Sequence, residues 1–285
     1  MGADANLWVA DTGTTKAVGQ GGVGAPAASV TAPSVTGSGG VGTLQSCVGD
    51  VWSSRAGQQP SHSAYGFDGY QWLLDGSPIT GATGPSYTPL VTAANLGHQL
   101  SCEVTVTYTL FPTTVSSTSA AVTLVDLTAP VLSLPAPIVV DATGPGGVAV
   151  SYTATATDNV GTTPVVSCIP ASGSTFAVGT TTVTCTATAP NITTGHGSFT
   201  VQVKGATGQL TDLAAAVAGV GPGNSLAAKI DNARVVVAGG DRGGTCGLLG
   251  AFINELSAQS GKKIPSATAA TLIADATRVD AVLGC

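Results

Sequence analysis

At 285 residues, with 43% hydrophobic but only 8% charged side chains, the chain is short of charge; an ordinary soluble domain carries about 25%. So little charge beside many β-branched residues argues against disorder. A net charge of −6 argues against a nucleic-acid partner, since it repels phosphate rather than displacing its counterions. No apolar run reaches about 18 residues, so no membrane-spanning helix is expected, and the length suits two or three domains.

The six cysteines are Cys47, Cys102, Cys168, Cys185, Cys246 and Cys285. They form no C-x-x-C pair and have no histidine at zinc-ligand spacing, so neither a metal cluster nor any other cofactor is expected. Six cysteines allow about 15 pairings. Composition divides the chain into three regions with two cysteines each, which gives Cys47–Cys102, Cys168–Cys185 and Cys246–Cys285. In the loop-entropy view each closure is worth about 3–4 kcal/mol. One staple per small region implies an oxidising, extracytoplasmic setting; the alternative is three pairs of buried free thiols in the cytosol. The segment Met1-Gly2-Ala3-Asp4-Ala5-Asn6-Leu7-Trp8 has neither the basic start nor the apolar stretch of a secretion signal. Cysteines and leader therefore disagree, and the expectation is that residue 1 is not the natural start.

In chain order, Leu7–Ala10 reads as a short strand, turned by Thr12-Gly13 into a second. The hairpin resembles part of a blade in NHL-type and virginiamycin-B-lyase-like propellers, although one hairpin cannot close a propeller. A disordered leader is the equal alternative. Residues 20–34, rich in Gly, Ala, Pro and Ser, read as a linker, so residues 1–34 are a hairpin and linker ahead of the three cysteine-bearing regions.

Residues 35–125 alternate short apolar-patterned segments with turn residues, the signature of a β-sandwich. Val41–Cys47, Tyr70–Leu74, Leu100–Tyr108 and Thr118–Leu124 are its predicted strands. Cys47, Trp72 and Cys102 follow the order in which an inter-sheet disulfide packs on a buried indole. With Tyr70-Gln71-Trp72-Leu73-Leu74-Asp75-Gly76 and Gly97-His98-Gln99-Leu100-Ser101-Cys102, this region resembles the immunoglobulin-like repeat of bacterial surface proteins. Leu100 stands where that family has a corner tyrosine. The connection from Cys47 to Trp72 is also long, and its surplus carries Arg55, Gln58, Gln59, His62 and Tyr65. These five are the candidate binding loop, since long loops at sandwich ends commonly carry binding residues. A solvated excursion is the commoner meaning of such a loop.

Residues 126–205 read as a second β unit. Val148, Val150, Tyr152, Ala154 and Ala156 alternate, then Val183, Cys185 and Ala187, then Phe199, Val201 and Val203. The run from Cys168-Ile169-Pro170-Ala171-Ser172-Gly173 to Gly179-Thr180-Thr181-Thr182-Val183-Thr184-Cys185, with Asp126, Pro130 and Ala156-Thr157-Asp158, is similar to the hyalin repeat (HYR). That resemblance implies an immunoglobulin-like fold and extracellular adhesion. Leu134 replaces a cysteine that many members carry, and Ala189-Pro190-Asn191-Ile192 replaces the usual Asp-x-x-Gly-Asn turn. Any ion held by that turn in relatives is not expected here.

Residues 206–285 change to helical composition. Leu210–Ala218, Ser225–Val237, Cys246–Ser260 and a helix from Ser266 are predicted. Leu249, Phe252, Ile253 and Leu256 share one helix face, and Ala269, Leu272, Ile273, Ala276, Val279 and Leu283 share another. The segments Asn224-Ser225-Leu226-Ala227-Ala228-Lys229 and Ala251-Phe252-Ile253-Asn254-Glu255-Leu256 resemble the FIMAH-type helical module that ends many secreted bacterial proteins. The six acidic and six basic residues here cancel, so the net charge belongs to the β region and the leader. A solvated helix surface is their expected role.

No G-x-S-x-G elbow, phosphate-binding loop, dinucleotide fingerprint or H-E-x-x-H occurs, so no catalytic residue is expected. Asp141, Asp158 and Asn159 could offer oxygen to Ca²⁺, but turn-capping accounts for them. Asn191-Ile192-Thr193 is a glycosylation sequon, idle if the source is bacterial. The expectation is a multidomain, mainly β, non-enzymatic chain: two immunoglobulin-like sandwiches in tandem and a small all-α bundle. It is expected to be monomeric, extracellular or on the cell surface, adhering to an extracellular protein or glycan or serving as a stalk. An accessory tail of a propeller lyase or hydrolase, and a carbohydrate-binding module, are the alternatives.

Overall fold

The computed structural model describes residues 29–52, 67–108, 113–189 and 193–285. The N-terminal hairpin of the sequence analysis, the candidate binding loop and the Asn191-Ile192 part of the sequon lie outside them. The chain divides into two compact units, one of Met1–Thr128 with Asn159–Thr162, the other of Ala129–Asp158 with Thr163–Cys285.

In the first unit the strands are β1 (Ser29–Thr31), β2 (Ser34–Thr36), β3 (Gln45–Val48), β4 (Val51–Trp52), β5 (Phe67–Leu74), β6 (Ser77–Pro78), β7 (Ser86–Tyr87), β8 (Gln99–Tyr108), β9 (Thr113–Thr118) and β10 (Val122–Thr123). One sheet runs β10-β8-β5-β6, with β9 also on β8; β2-β3-β7 form another. Cys47 on β3 and Cys102 on β8 thus join different sheets, with Cα atoms 6.1 Å apart. Trp72 is opposite Cys102 in the β5–β8 register and fully buried, and its Nε1–H donates to the Gly84 C=O at 3.0 Å. An apolar ring beside the disulfide with its one polar atom satisfied is the pin that closes such a sandwich. Leu100, in the corner-tyrosine position, is also fully buried and fills the core by volume. The last strand is broken: the Ser119 N–H donates to the Cys102 C=O at 2.9 Å, while its Oγ accepts from the Cys102 N–H at 3.0 Å. Hence β9 and β10 replace the single strand predicted over Thr118–Leu124. Val160 also lies in this core, its C=O accepting from Ala93 N–H at 2.9 Å.

The second unit holds β11 (Val131–Ser133), β12 (Ile138–Asp141), β13 (Val148–Ala149), β14 (Thr155–Thr157), β15 (Val165–Ile169), β16 (Thr175–Phe176), β17 (Gly179–Thr188) and β18 (Thr194–Lys204). One sheet runs β12-β18-β17-β15, while β11-β14 and β13-β16 make the facing pairs. The β12–β18 pairing is parallel, Ile138 opposite Val201 and Asp141 opposite Lys204. Cys168 lies directly opposite Cys185, so their disulfide staples neighbouring strands of one sheet. Tyr152 packs edge-on to Phe199 at 4.9 Å and donates its hydroxyl to the Pro170 C=O. Gly147 has φ +102°, and a Cβ there would lie 1.8 Å from the Phe176 C=O, so the β13–β16 approach requires glycine.

Four helices follow β18 directly: α1 (Ala206–Ala216), α2 (Ser225–Ala238), α3 (Arg242–Gln259) and α4 (Ser266–Leu283). Leu210, Leu213, Leu226, Ile230, Leu249, Phe252, Leu256 and Leu272 fill their common core. α3 starts four residues before the sequence expectation, because Asp241 caps it by accepting from Gly244 N–H at 2.8 Å; an Asp cap offsets the poor helix propensity of Gly243 and Gly244. The helices also pack on the sandwich of the same unit. Val282 of α4 belongs to the sandwich core, and buried Gln209 of α1 donates to Ala142 C=O and Lys204 C=O, each at 2.9 Å. Arg278 of α4 reaches Gln209 Oε1 at 3.3 Å, Asp141 at 2.9 Å and Asp275 at 3.0 Å.

Candidate functional site

The five candidate loop residues, Arg55, Gln58, Gln59, His62 and Tyr65, lie outside the described residues. The strand leading to them is described: β4 pairs with β1, and Trp52 is buried with its Nε1–H donating to Asp50 at 2.7 Å.

Each unit also presents a groove. In the first, a groove of about 450 Å³ is lined by Leu44, Ile79, Ala82, Thr83, Tyr87 and Leu90 among others. Leu44 and Leu90 are exposed, and Tyr87 lies tilted against Trp72 at 5.9 Å, which leaves part of one aromatic ring for contact. In the second, about 430 Å³ lies between Tyr152–Ala154 and Val166–Cys168, closed by Ala171 and Ser172. It follows β15, an edge strand of its sheet among the described residues, where Val165 and Ile169 are exposed. Both linings are uncharged, so these grooves suit apolar or hydrogen-bonding contact.

The titratable groups stand apart. His98 is paired with Asp75; the Gln99 N–H and the His98 ring, in that order, hold the Asp75 carboxyl below its usual range. Asp75 has φ +49° and Gly76 φ +78°, the left-handed pair of a tight hairpin turn, so this His–Asp pair clamps a turn. His196 lies on β18 beside Thr186 and Thr194. Of the oxygen ligands considered for Ca²⁺, Asp141 is taken by Arg278 at 2.9 Å, and Asn159 donates to Thr128 Oγ1 at 3.2 Å. Among the helices, Glu255 accepts from Ser225 at 2.8 Å, Lys229 at 2.6 Å and Gln259 at 2.9 Å. The Lys229 bond is the main cause holding its carboxyl below the usual range.

One group of potential ligand atoms does converge among the described residues. The sulfurs of Cys246 and Cys285 and a carboxylate oxygen of Asp280 lie within 4.8 Å of one another. The two sulfurs are bonded to each other, so in this state they offer no thiolate to a metal. Sequence reasoning placed Asp280 among solvated helix charges. Its Oδ1 is instead buried without a hydrogen-bond partner, and burial pushes its carboxyl above the usual range. The stripe containing Val279 and Leu283 was the available signal, since Asp280 sits between them.

The HYR domain family model matches residues 125–203. No curated protein matches the chain. Solved structures similar to it include the fibronectin(III)-like modules of Clostridium thermocellum CbhA (13% identity, 58% of this chain and 87% of that one, TM-score 0.23). The N-terminal Ig1-2 module of the Drosophila receptor protein tyrosine phosphatase DLAR is another (15% identity, 63% and 100%, TM-score 0.21), as is human protocadherin-24 EC1-2 (15% identity, 61% and 97%, TM-score 0.25). The sandwich assignment of both units stands on their own strand pairing and disulfides.

Proposed function

We propose that the chain is a non-catalytic extracellular adhesion region: two disulfide-closed sandwiches in series that present loops and shallow grooves to a protein or glycan, with the helices completing the second unit. The observation that carries this reading is the HYR match at residues 125–203 on a sandwich whose only cysteines are joined across neighbouring strands. Three disulfides fit an oxidising compartment, and uncharged grooves fit contact by shape and hydrogen bonding rather than electrostatic capture. A bacterial surface protein is the source that the first sandwich and the helical module resemble. Display of the full chain on a non-adherent cell, followed by adhesion to glycan and extracellular-matrix arrays, tests the proposal. Specific adhesion above the undisplayed control is expected; no gain on any surface would leave the chain a spacer and overturn the adhesive role.

A further inference from the structure

The three disulfides differ in how far an outside thiol can reach them. Cys47, Cys102 and Cys185 are 3%, 0% and 2% exposed, so one bond is sealed at both ends and the second at one. Cys285 is exposed and Cys246 half-buried. A disulfide opens only when a thiolate reaches one sulfur in line with the bond, so access and the stability of the departing thiolate set the order of opening.

Several features at Cys246–Cys285 favour exchange. Cys246 is the fifth residue of α3, one turn in from its N-terminus. Arg242 lies one turn earlier on the same face and turns its guanidinium to the Gly284 C=O, beside Cys285. Gly284 takes the left-handed conformation with φ +69°, and Cys285 N–H returns to the Asp280 C=O at 2.9 Å. This reversal carries Cys285 back along α4 towards Asp280. The Asp280 carboxylate is within 4.8 Å of both sulfurs, with Oδ1 buried and unpartnered.

We propose that Cys246–Cys285 is a thiol-exchange site, opened by a dithiol through Cys285 while the other two disulfides stay closed, with the adjacent Asp280 carboxyl, in its protonated form, delivering the proton to Cys246. A thiolate of the dithiol attacks Cys285 Sγ. The new sulfur–sulfur bond forms as the bond to Cys246 breaks, and its electron pair leaves on Cys246 Sγ, which takes the proton from Asp280. The second thiolate of the dithiol then attacks its own partner sulfur in the mixed disulfide. The dithiol is oxidised to a disulfide, Cys285 departs as thiolate, water supplies the protons that neutralise Cys285 and restore Asp280, and two electrons have passed to the protein. Opening removes the covalent tie between α3 and the end of α4.

The charged groups on the neighbouring elements have partners of their own. On α3, Asp241 is used as the helix cap, Arg242 faces Gly284 and Glu255 is held by Lys229. On α1, Asp212 pairs with Lys204; on α4, Arg278 and Asp275 pair with each other. Burial is the cause of the upward displacement of the Asp280 carboxyl.

The test uses the folded full chain under graded dithiothreitol, with iodoacetamide trapping and peptide mass mapping. Cys246 and Cys285 are expected to become alkylated at least about tenfold faster than the other four cysteines. Simultaneous opening of all three bonds, or earlier opening of either other one, would overturn the proposal. Selectivity is measured on the unaltered protein and so needs no variant to fold. The proton role is read separately, as the opening rate per attacking thiolate between about pH 7 and 4. That rate is expected to rise as pH falls in the natural chain and to stay flat in Asp280→Asn. A parallel rise in the variant would overturn the role of Asp280.

Discussion

Replacement of Gln209 by Leu tests whether the helices and the second sandwich form one cooperative unit. Gln209 is 2% exposed and bonds both Ala142 C=O and Lys204 C=O. Leu has similar volume but neither donates to these carbonyls nor accepts from Arg278, whose guanidinium keeps Asp141 and Asp275 as partners. Lys204 C=O retains a partner, because Ala142 N–H already reaches it at 3.0 Å, whereas the buried Ala142 C=O loses the amide. One orphaned buried acceptor costs about 1–3 kcal/mol, and the second lost bond adds about 1 kcal/mol. Extra apolar burial by Leu offsets part of this, which leaves about 2–3 kcal/mol. For a unit of roughly 150 residues, that lowers the midpoint by about 4–12 °C. Two optical probes separate the units. Trp52 and Trp72 belong to the first, so tryptophan emission follows it alone among the described residues, while helical circular dichroism follows α1–α4 in the second. The helical midpoint is expected to fall and the tryptophan transition to stay in place. A helical shift below about 1 °C, in a variant that still folds, would refute the argument.

Trp72→Ala should give the converse pattern: removing the fully buried indole costs about 3–5 kcal/mol, lowering the Trp52-monitored urea midpoint and leaving the helical transition unmoved. Glu255→Gln removes a carboxylate whose pKa is depressed chiefly by the Lys229 bond. A depressed acid stabilises the fold above its unfolded pKa of about 4.3 and loses that contribution as pH falls through the folded value. The helical midpoint of the variant should thus be lower at neutral pH and decline less steeply in acid; equal slopes would contradict this. Gly147→Ala places a Cβ against the Phe176 C=O at 1.8 Å. It should lower the helical midpoint by the equivalent of at least about 1–3 kcal/mol, and an unchanged midpoint would show that β13 and β16 separate freely.

The sandwich-then-helix order was legible because Trp72, the alternation through Val148–Tyr152 and the stripe of Leu249, Phe252 and Leu256 all carry periodic, large side chains. What escaped were features that depend on contacts distant in sequence. The parallel β12–β18 pairing joins Ile138 to Val201, and nothing in either local pattern states that partner. Gln209 falls just outside the predicted Leu210–Ala218 helix, so no burial is read for it; α1 in fact starts at Ala206 and is buried against both helices and sandwich, which covers this polar side chain. The assumption of one buried face per helix misplaced Asp280 and Arg278. α4 meets the helical core through Leu272 and Val279 and the sandwich core through Val282. Charges between those faces are therefore drawn into pairing or burial. The long loop was legible as a length anomaly, but its five polar residues carry no period or fixed spacing from which a geometry follows.

The two covered faces of α4 also explain why loss of the exposed staple need not unfold the second unit. Reduction of Cys246–Cys285 removes a chain-entropy contribution of about 4 kcal/mol. Phe252, Leu256, Leu272 and Val279 remain in one core, each buried side chain retaining roughly 1.5–3 kcal/mol of transfer free energy, and the Gln209 and Arg278 bonds still tie α1 and α4 to the sandwich. The first effect of opening should fall where packing is thinnest, at the exposed Gly284-Cys285 end and the first turn of α3. Hydrogen exchange before and after selective reduction should therefore quicken at Arg242–Cys246 and Val282–Cys285, with the Leu249–Leu256 amides unchanged. Uniform loss of protection along α3 would mean that the sulfur bridge, rather than the apolar core, holds the bundle together.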